Sequence, residues 1–215
     1  MVTITDFPAA MIDLTNPAAR EWIKQVIRDN MLGIGLDGWM ADYGEYLPPG
    51  AVLHSGESWE QVHNSYPVLW ARVNREAVAE AGREKEVIFF MRAGYHGSTR
   101  LSPAFWAGDQ LVSWSLNDGL ATVIPAGISL GLQGAAHFHH DLGGFTTVAW
   151  VRRSKELFLR WAELSAFSLQ MRSHEGNRPE RNWQFDSDSE TLEFLARMTR
   201  IFDGLKAYRV RALEE

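Results

Sequence analysis

Cysteine is absent from the 215 residues, which removes any disulfide framework and any thiolate chemistry. Positive charge is scarce: 21 Lys and Arg stand against 27 Asp and Glu, for a net charge of −6. No basic stripe exists to neutralise phosphates, which argues against a nucleic-acid partner. Long apolar runs are missing as well. Val87–Met91 is among the longest, far short of the ~20 residues that span a bilayer. The start, MVTITDFPAA, has neither the basic residues nor the apolar stretch of a signal peptide. A soluble, cytoplasmic protein without a membrane partner is the expectation.

What the chain does have is apolar and aromatic bulk. Hydrophobic residues make up 46%, enough for one sizeable core, so a single domain over 1–215 is expected. Nine tryptophans and seven histidines stand out. Tryptophan faces stack on sugar C–H faces, and His, Asp, Glu and Arg bond sugar hydroxyls; a Trp-rich core explains the same composition.

The order of elements reads strand, helix, strand, helix. Asn16-Pro17 opens a helix over about Pro17–Asp29, Asn as cap and Pro at the first helical position, with Ala18, Trp22, Ile23, Val26 and Ile27 on one face. Leu32–Met40 reads as a buried strand, Ser65–Ala81 as a long helix, Val87–Arg92 as a strand buried on both faces. A short strand is expected near Phe105–Ala107, a helix over Asn117–Gly134 with a kink at Pro125, and a strand at Ala135–His140. An amphipathic helix, Ser154–Phe167, leads to a strand at Leu169–Arg172. Ser187-Asp188-Ser189-Glu190 reads as a capping box opening a last helix to about Ala207. An extra strand is possible at Ala10–Leu14. The alternation predicts an α/β fold with a parallel sheet and crossover helices. Asp42, Arg92, Asp109, His139 to Asp141 and His174 all fall just after strands, where a (β/α)8 TIM barrel carries its active site. About five of the eight strand–helix units are present. The chain therefore reads as part of a barrel whose open edges invite self-association.

Two acids sit in apolar, Trp-bearing segments: Asp42 after Gly38-Trp39-Met40-Ala41, and Asp109 after Phe105-Trp106-Ala107-Gly108. Retaining glycosidases need two carboxylates ~5–5.5 Å apart, one attacking the anomeric carbon and one serving as acid and then base. An Asp after a strand also commonly caps a helix or ties a turn. Arg92 suits support of an ionised Asp42, a grip on a substrate hydroxyl, or a buried ion pair. Trp106 supplies the low polarity that an acid/base wants. His137 and His139 share a strand face, as a metal pair would. No other acid or His set completes such a site at an obvious spacing, so no metal is expected, and sugar binding or hydrogen bonding within the barrel is the favoured reading. Gly143-Gly144 gives a sharp turn. His174, in the polar run Arg172–Pro179, either donates to a sugar hydroxyl or belongs to a surface loop.

The segments Asp13–Pro17, Gly38–Pro48, His63–Pro67, Gly97–Arg100, Trp106–Gln110, Asp141–Gly144 and His174–Pro179 resemble glycoside hydrolase family 31, and within it the sulfoquinovosidase group, in the family's order over nearly the whole chain. The resemblance implies a retaining, cofactor-free α-glycosidase on a (β/α)8 barrel. It implies Asp42 as nucleophile and Asp109 as general acid/base, Arg92 and His174 on sugar hydroxyls, and Asp141 lining the site in support. The implied substrate is an α-sulfoquinovoside such as sulfoquinovosyl glycerol. Phe145 departs from the Tyr that usually follows the double glycine and helps hold the sulfonate; Phe there is familiar in α-glucosidase and α-xylosidase members. His140 departs from a common Ser and would alter that wall. The family's N-terminal β-domain, first barrel strands and C-terminal β-domains have no counterpart in the chain. A catalytically silent barrel piece is the rival reading, and a metal-dependent hydrolase built on the residues from His137 to Asp141 stands further behind.

Overall fold

The computed structural model describes residues 2–4 and 7–214, which divide into two compact units, 1–105 and 106–215. The first opens with an antiparallel hairpin of β1 (Val2–Ile4) and β2 (Phe7–Ala9). The stretch 10–14 that was expected as an extra strand is irregular. Helix α1 (Pro17–Ile27) starts as expected, Asn16 Oδ1 accepting from the Ala18 N–H at 2.9 Å. It passes into a single wide turn over Arg28–Leu32. That turn takes up Leu32, and Gly35 at φ +90° reverses the chain, so the expected long strand shrinks to β3 (Gly38–Met40). The apolar face assigned to α1 is only partly used: Ile27 is buried, whereas Trp22 is 58% exposed.

Short helix α2 (Trp59–His63) leads into α3 (Tyr66–Glu80), which fills its expected span. Strand β4 (Ile88–Met91) pairs in parallel with β3, Trp39 beside Phe89 and Met40 beside Phe90, and β5 (Ala104–Trp106) pairs in parallel with β4. Alternation then decides which side chains face the helices. Trp39 and Phe89 stack, ring centres 6.1 Å apart, and the Trp39 indole donates to Asn74 Oδ1 of α3 at 2.8 Å. The opposite face, two residues on, carries Asp42 and Arg92 side by side.

In the second unit, α4 (Val123–Leu132) is shorter than expected. Pro125 lies in its first turn, where an N–H has no intrahelical partner, so no kink is needed. Strand β6 (Phe138–Leu142) pairs in parallel with β7 (Met171–Ser173), His140 beside Met171 and Asp141 beside Arg172. Helix α5 (Lys155–Ser165) crosses between them, Ser154 capping it by accepting from the Leu157 N–H. Leu142 of β6 packs with Phe158, Ala162, Ala166 and Met198. Helices α6 (Ser189–Gly204) and α7 (Lys206–Glu214) close the chain. The cap of α6 is Asp188, which accepts from the Thr191 N–H; Lys155 pairs with both Asp188 and Glu190. No described helix is long and apolar enough to cross a membrane.

His140 corrects an expectation. It faces α5, not a pocket wall: its Nδ1 accepts from the Trp161 indole N–H at 2.8 Å, and it is 2% exposed. Burial, aided by the Arg172 charge, pushes its pKa down to about 4. The unfolded chain binds this proton near pH 6.5, the folded chain only near 4. The stability from His140 is therefore intact above 6.5 and falls as pH drops from 6.5 towards 4, by about 3 kcal/mol at most. Asp141, whose carboxyl is raised by burial, opposes this trend, so the comparison is made with Asp141 in place. His140→Asn should flatten the decline in melting temperature between pH 6.5 and 4; an unchanged slope sinks the assignment.

Candidate functional site

The first unit brings Asp42 and Arg92 together. Asp42 lies two residues past β3 and Arg92 one past β4, and the register places them on one face. Arg92 Nε lies 3.2 Å from Asp42 Oδ1 and donates to Glu45 Oε1 at 2.7 Å. Asp42 Oδ1 also accepts from the Tyr43 N–H at 2.9 Å. That contact comes with a left-handed backbone at Tyr43, φ 64°, a conformation that costs energy in a non-glycine residue. The guanidinium stacks over the Tyr43 ring, 5.0 Å from its centre. Of the readings open for Arg92, the ion pair with Asp42 is the one observed.

Glu45, inside the segment Gly38–Pro48, is a neighbour of the site that the sequence did not single out. It shares Arg92 with Asp42, and its Oε2 is buried with no hydrogen-bond partner. The signal was the spacing: an acid three residues after Asp42 in a tight Gly44 turn, where a Cβ would meet Pro67 Cα at 3.2 Å.

The second unit gathers Asp109, Asp141, His174 and Phe145. Asp109 follows β5 after Gly108, which takes φ +77°. Its side chain is exposed, and its carbonyl accepts from Thr146 Oγ1 at 2.7 Å. The Gln110 carbonyl accepts from the Phe145 and Thr146 N–H groups at 2.9 Å each. The Asp109 segment is thereby tied to the turn after β6. Gly144, φ +74°, fits only without a side chain, since a Cβ would lie 3.0 Å from the Leu111 carbonyl oxygen. Trp106 is 2% exposed; its ring belongs to the packed interior and offers no open face for a sugar.

Asp141 is 1% exposed and forms a short ion pair with Arg172 of β7. Burial raises its carboxyl pKa and the Asp109 charge adds to this, while Arg172 and His174 pull it down. A group so enclosed supports its neighbours; it has no surface for a ligand. His174 sits two residues past Arg172, on the same face. Its Nδ1 accepts from the Gly176 N–H at 3.0 Å, and its ring meets Phe145 edge to face at 4.8 Å. With Nδ1 as acceptor, the neutral ring carries its proton on Nε2, a donor free of the loop. A cavity of about 430 Å³, lined by Arg172, His174, Glu175 and Gln184, opens there. Among the described residues no three His, Asp or Glu side chains gather as metal ligands would.

The comparisons with known proteins agree with this placement of elements. Residues 3–202 match the glycosyl hydrolases family 31 TIM-barrel domain. The chain is 53% identical over 213 residues to the sulfoquinovosidase of Escherichia coli (strain K12), covering 99% of the chain and 31% of that protein. It is 46% identical to the sulfoquinovosidase of Agrobacterium fabrum (strain C58), covering 97% and 32%. A solved structure, a GH31 family sulfoquinovosidase from E. rectale in complex with the aza-sugar inhibitor IFGSQ, superposes with a TM-score of 0.89 at 50% identity, covering 91% of the chain and 30% of its own. The chain thus spans about a third of the length of these relatives. The five parallel strands β3 to β7 and their crossover helices are part of a (β/α)8 barrel.

Proposed function

The chain belongs to glycosyl hydrolases family 31, and on that premise we propose that it supplies the catalytic groups of a retaining α-glycosidase acting on α-sulfoquinovosides. All 215 residues are then part of one catalytic barrel domain. Asp42 is the nucleophile, kept ionised by Arg92 and by the Tyr43 N–H. It attacks the anomeric carbon while Asp109 protonates the departing oxygen. A covalent glycosyl–Asp42 ester results. Asp109, now ionised, deprotonates a water that displaces the sugar with its original anomeric configuration. Arg92 and His174 Nε2 hold sugar hydroxyls, Glu45 orients Arg92 from behind, and Phe145 forms an apolar wall. Asp141 acts at one remove, through Arg172.

The observation that carries the substrate class is the 53% identity to a sulfoquinovosidase along 99% of the chain. Phe145 favours a second reading, a neutral α-glucoside or α-xyloside, because it has no hydroxyl for a sulfonate. A panel of three aryl α-glycosides separates them: the sulfoquinovoside, the glucoside and the xyloside, assayed with the full-length gene product. The expected result is at least ~100-fold higher kcat/KM for the sulfoquinovoside, the scale of one charge-assisted contact made or lost. A glucoside or xyloside preference overturns the substrate class but leaves the mechanism standing. Inactivity on all three overturns the proposed activity.

A further inference from the structure

Arg153 is among the largest fully buried side chains, 2% exposed, yet its guanidinium bonds to no carboxylate among the described residues. Its five N–H donors go to five neutral oxygens. Nε donates to the Trp183 carbonyl at 2.7 Å. Nη1 donates to the Gly144 carbonyl at 3.2 Å and to the His174 carbonyl at 2.8 Å. Nη2 donates to the Glu175 carbonyl at 3.2 Å and to Gln184 Oε1 at 2.9 Å. The fork is fully used. These acceptors come from three separate stretches: the turn after β6, the turn after β7 and the loop before α6. Asn182 continues the brace, its Oδ1 accepting from the Arg153 N–H at 3.0 Å and from Thr147 Oγ1 at 2.9 Å.

A bare structural ion would be paired; burying a cation among carbonyls is costly. The cost is visible in the guanidinium, whose pKa burial pushes down to about 10 although the Asp141 charge pulls it up. What this arrangement fixes is the backbone under His174 and beside Phe145. The double glycine fits the same demand. Gly143 has φ +91°, and a Cβ there would lie 2.6 Å from Arg153 Cδ. At Gly176 a Cβ would lie 2.9 Å from the Phe145 carbonyl oxygen.

We infer that Arg153 is a positioning residue for the glycosidase reaction, clamping the turns after β6 and β7 so that His174 presents its Nε2 donor to the sugar in one fixed orientation. This rests on the reading of His174 as a sugar contact. Arg153, being enclosed, touches no substrate. Lysine cannot replace it, because one ammonium cannot reach acceptors spread over three segments.

The test is a double-mutant cycle in the full-length gene product, with rates on the aryl sulfoquinovoside normalised to the folded fraction from near-ultraviolet circular dichroism. Arg153→Lys should lower kcat/KM ~30-fold and His174→Ala ~100-fold, the scale of a contact displaced by about an ångström or lost. The double variant should be no slower than His174→Ala, since the clamp acts through the residue already removed. Multiplying losses, or a wild-type rate in Arg153→Lys, overturn the inference. If Arg153→Lys does not fold, Gln184→Leu removes one of the five acceptors, together with the bonds Gln184 Nε2 donates to the Glu175 and Pro179 carbonyls; a several-fold loss that disappears in the His174→Ala background supports the clamp, and none overturns it. Histidine-labelled NMR reads the same point without turnover. The His174 ring should hold one tautomer in the wild type and average between two in Arg153→Lys, or in Gln184→Leu to a smaller degree. An unchanged His174 signal overturns the clamp even where a lack of hydrolysis has already overturned the activity.

Discussion

Asp42→Asn should abolish turnover of every α-glycoside, lowering kcat by at least ~10⁴-fold, as loss of a covalent nucleophile does. The substitution changes one atom and almost nothing else. Asparagine Oδ1 still accepts from the Tyr43 N–H, so the left-handed turn keeps its reason to form. Arg92 is not stranded, because Glu45 Oε1 already accepts from it at 2.7 Å. That second acid separates chemistry from folding in this experiment. The variant should melt within a few degrees of the wild type while forming no glycosyl–enzyme ester in a mass spectrum of enzyme mixed with a 2-fluoro glycoside. Retention of a tenth of the activity would remove Asp42 from the mechanism. An unstable variant would instead mean that Arg92 and Asp42 form a structural pair.

The Asp42–Arg92 pair was partly legible in the chain itself. Parallel strands shift their ends in step, so a residue just after one strand neighbours the residue just after the next. On that logic Arg92 suits support of Asp42 from its place after the next strand; the same register sets Asp141 beside Arg172, a pairing the sequence did not single out. Strand length was less legible. Leu32–Met40 is apolar enough for a strand, but Gly33 and Gly35 let the helix unwind through a wide turn, leaving Ile34 71% exposed. His140 was misplaced for a related reason. Three polar residues in a row, His139-His140-Asp141, suggest one wall, whereas alternation sends the middle one to the opposite face and to Trp161. Arg153 was out of reach. Arg152-Arg153 before a capped helix reads as surface charge, and its burial depends on carbonyls from segments up to 31 residues away.

Asp109→Asn should give a different signature from Asp42→Asn, and the difference identifies the acid/base. An acid matters most when the leaving group is a poor one. For an alkyl sulfoquinovoside, whose alkoxide needs a proton, kcat/KM should fall by ~10³–10⁴-fold, the upper range for general acid catalysis. For a dinitrophenyl sulfoquinovoside, which departs as a stable anion, the first step should survive nearly intact. Its product, the glycosyl–Asp42 ester, would then wait for a water that no base activates. A rapid burst of dinitrophenolate, one per enzyme, followed by a slow steady state is the expected trace. Azide, a nucleophile that needs no deprotonation, should restore turnover and leave as the α-glycosyl azide. Asp109 is suited to this exchange of protons because its side chain is exposed while its backbone is fastened, through Thr146 Oγ1 and the Gln110 carbonyl, to the turn that carries Phe145. Asp141 cannot take over, being enclosed and held by Arg172. An equal loss on both substrates, without burst or azide rescue, would show that Asp109 shapes the site and leaves the proton transfer to another group.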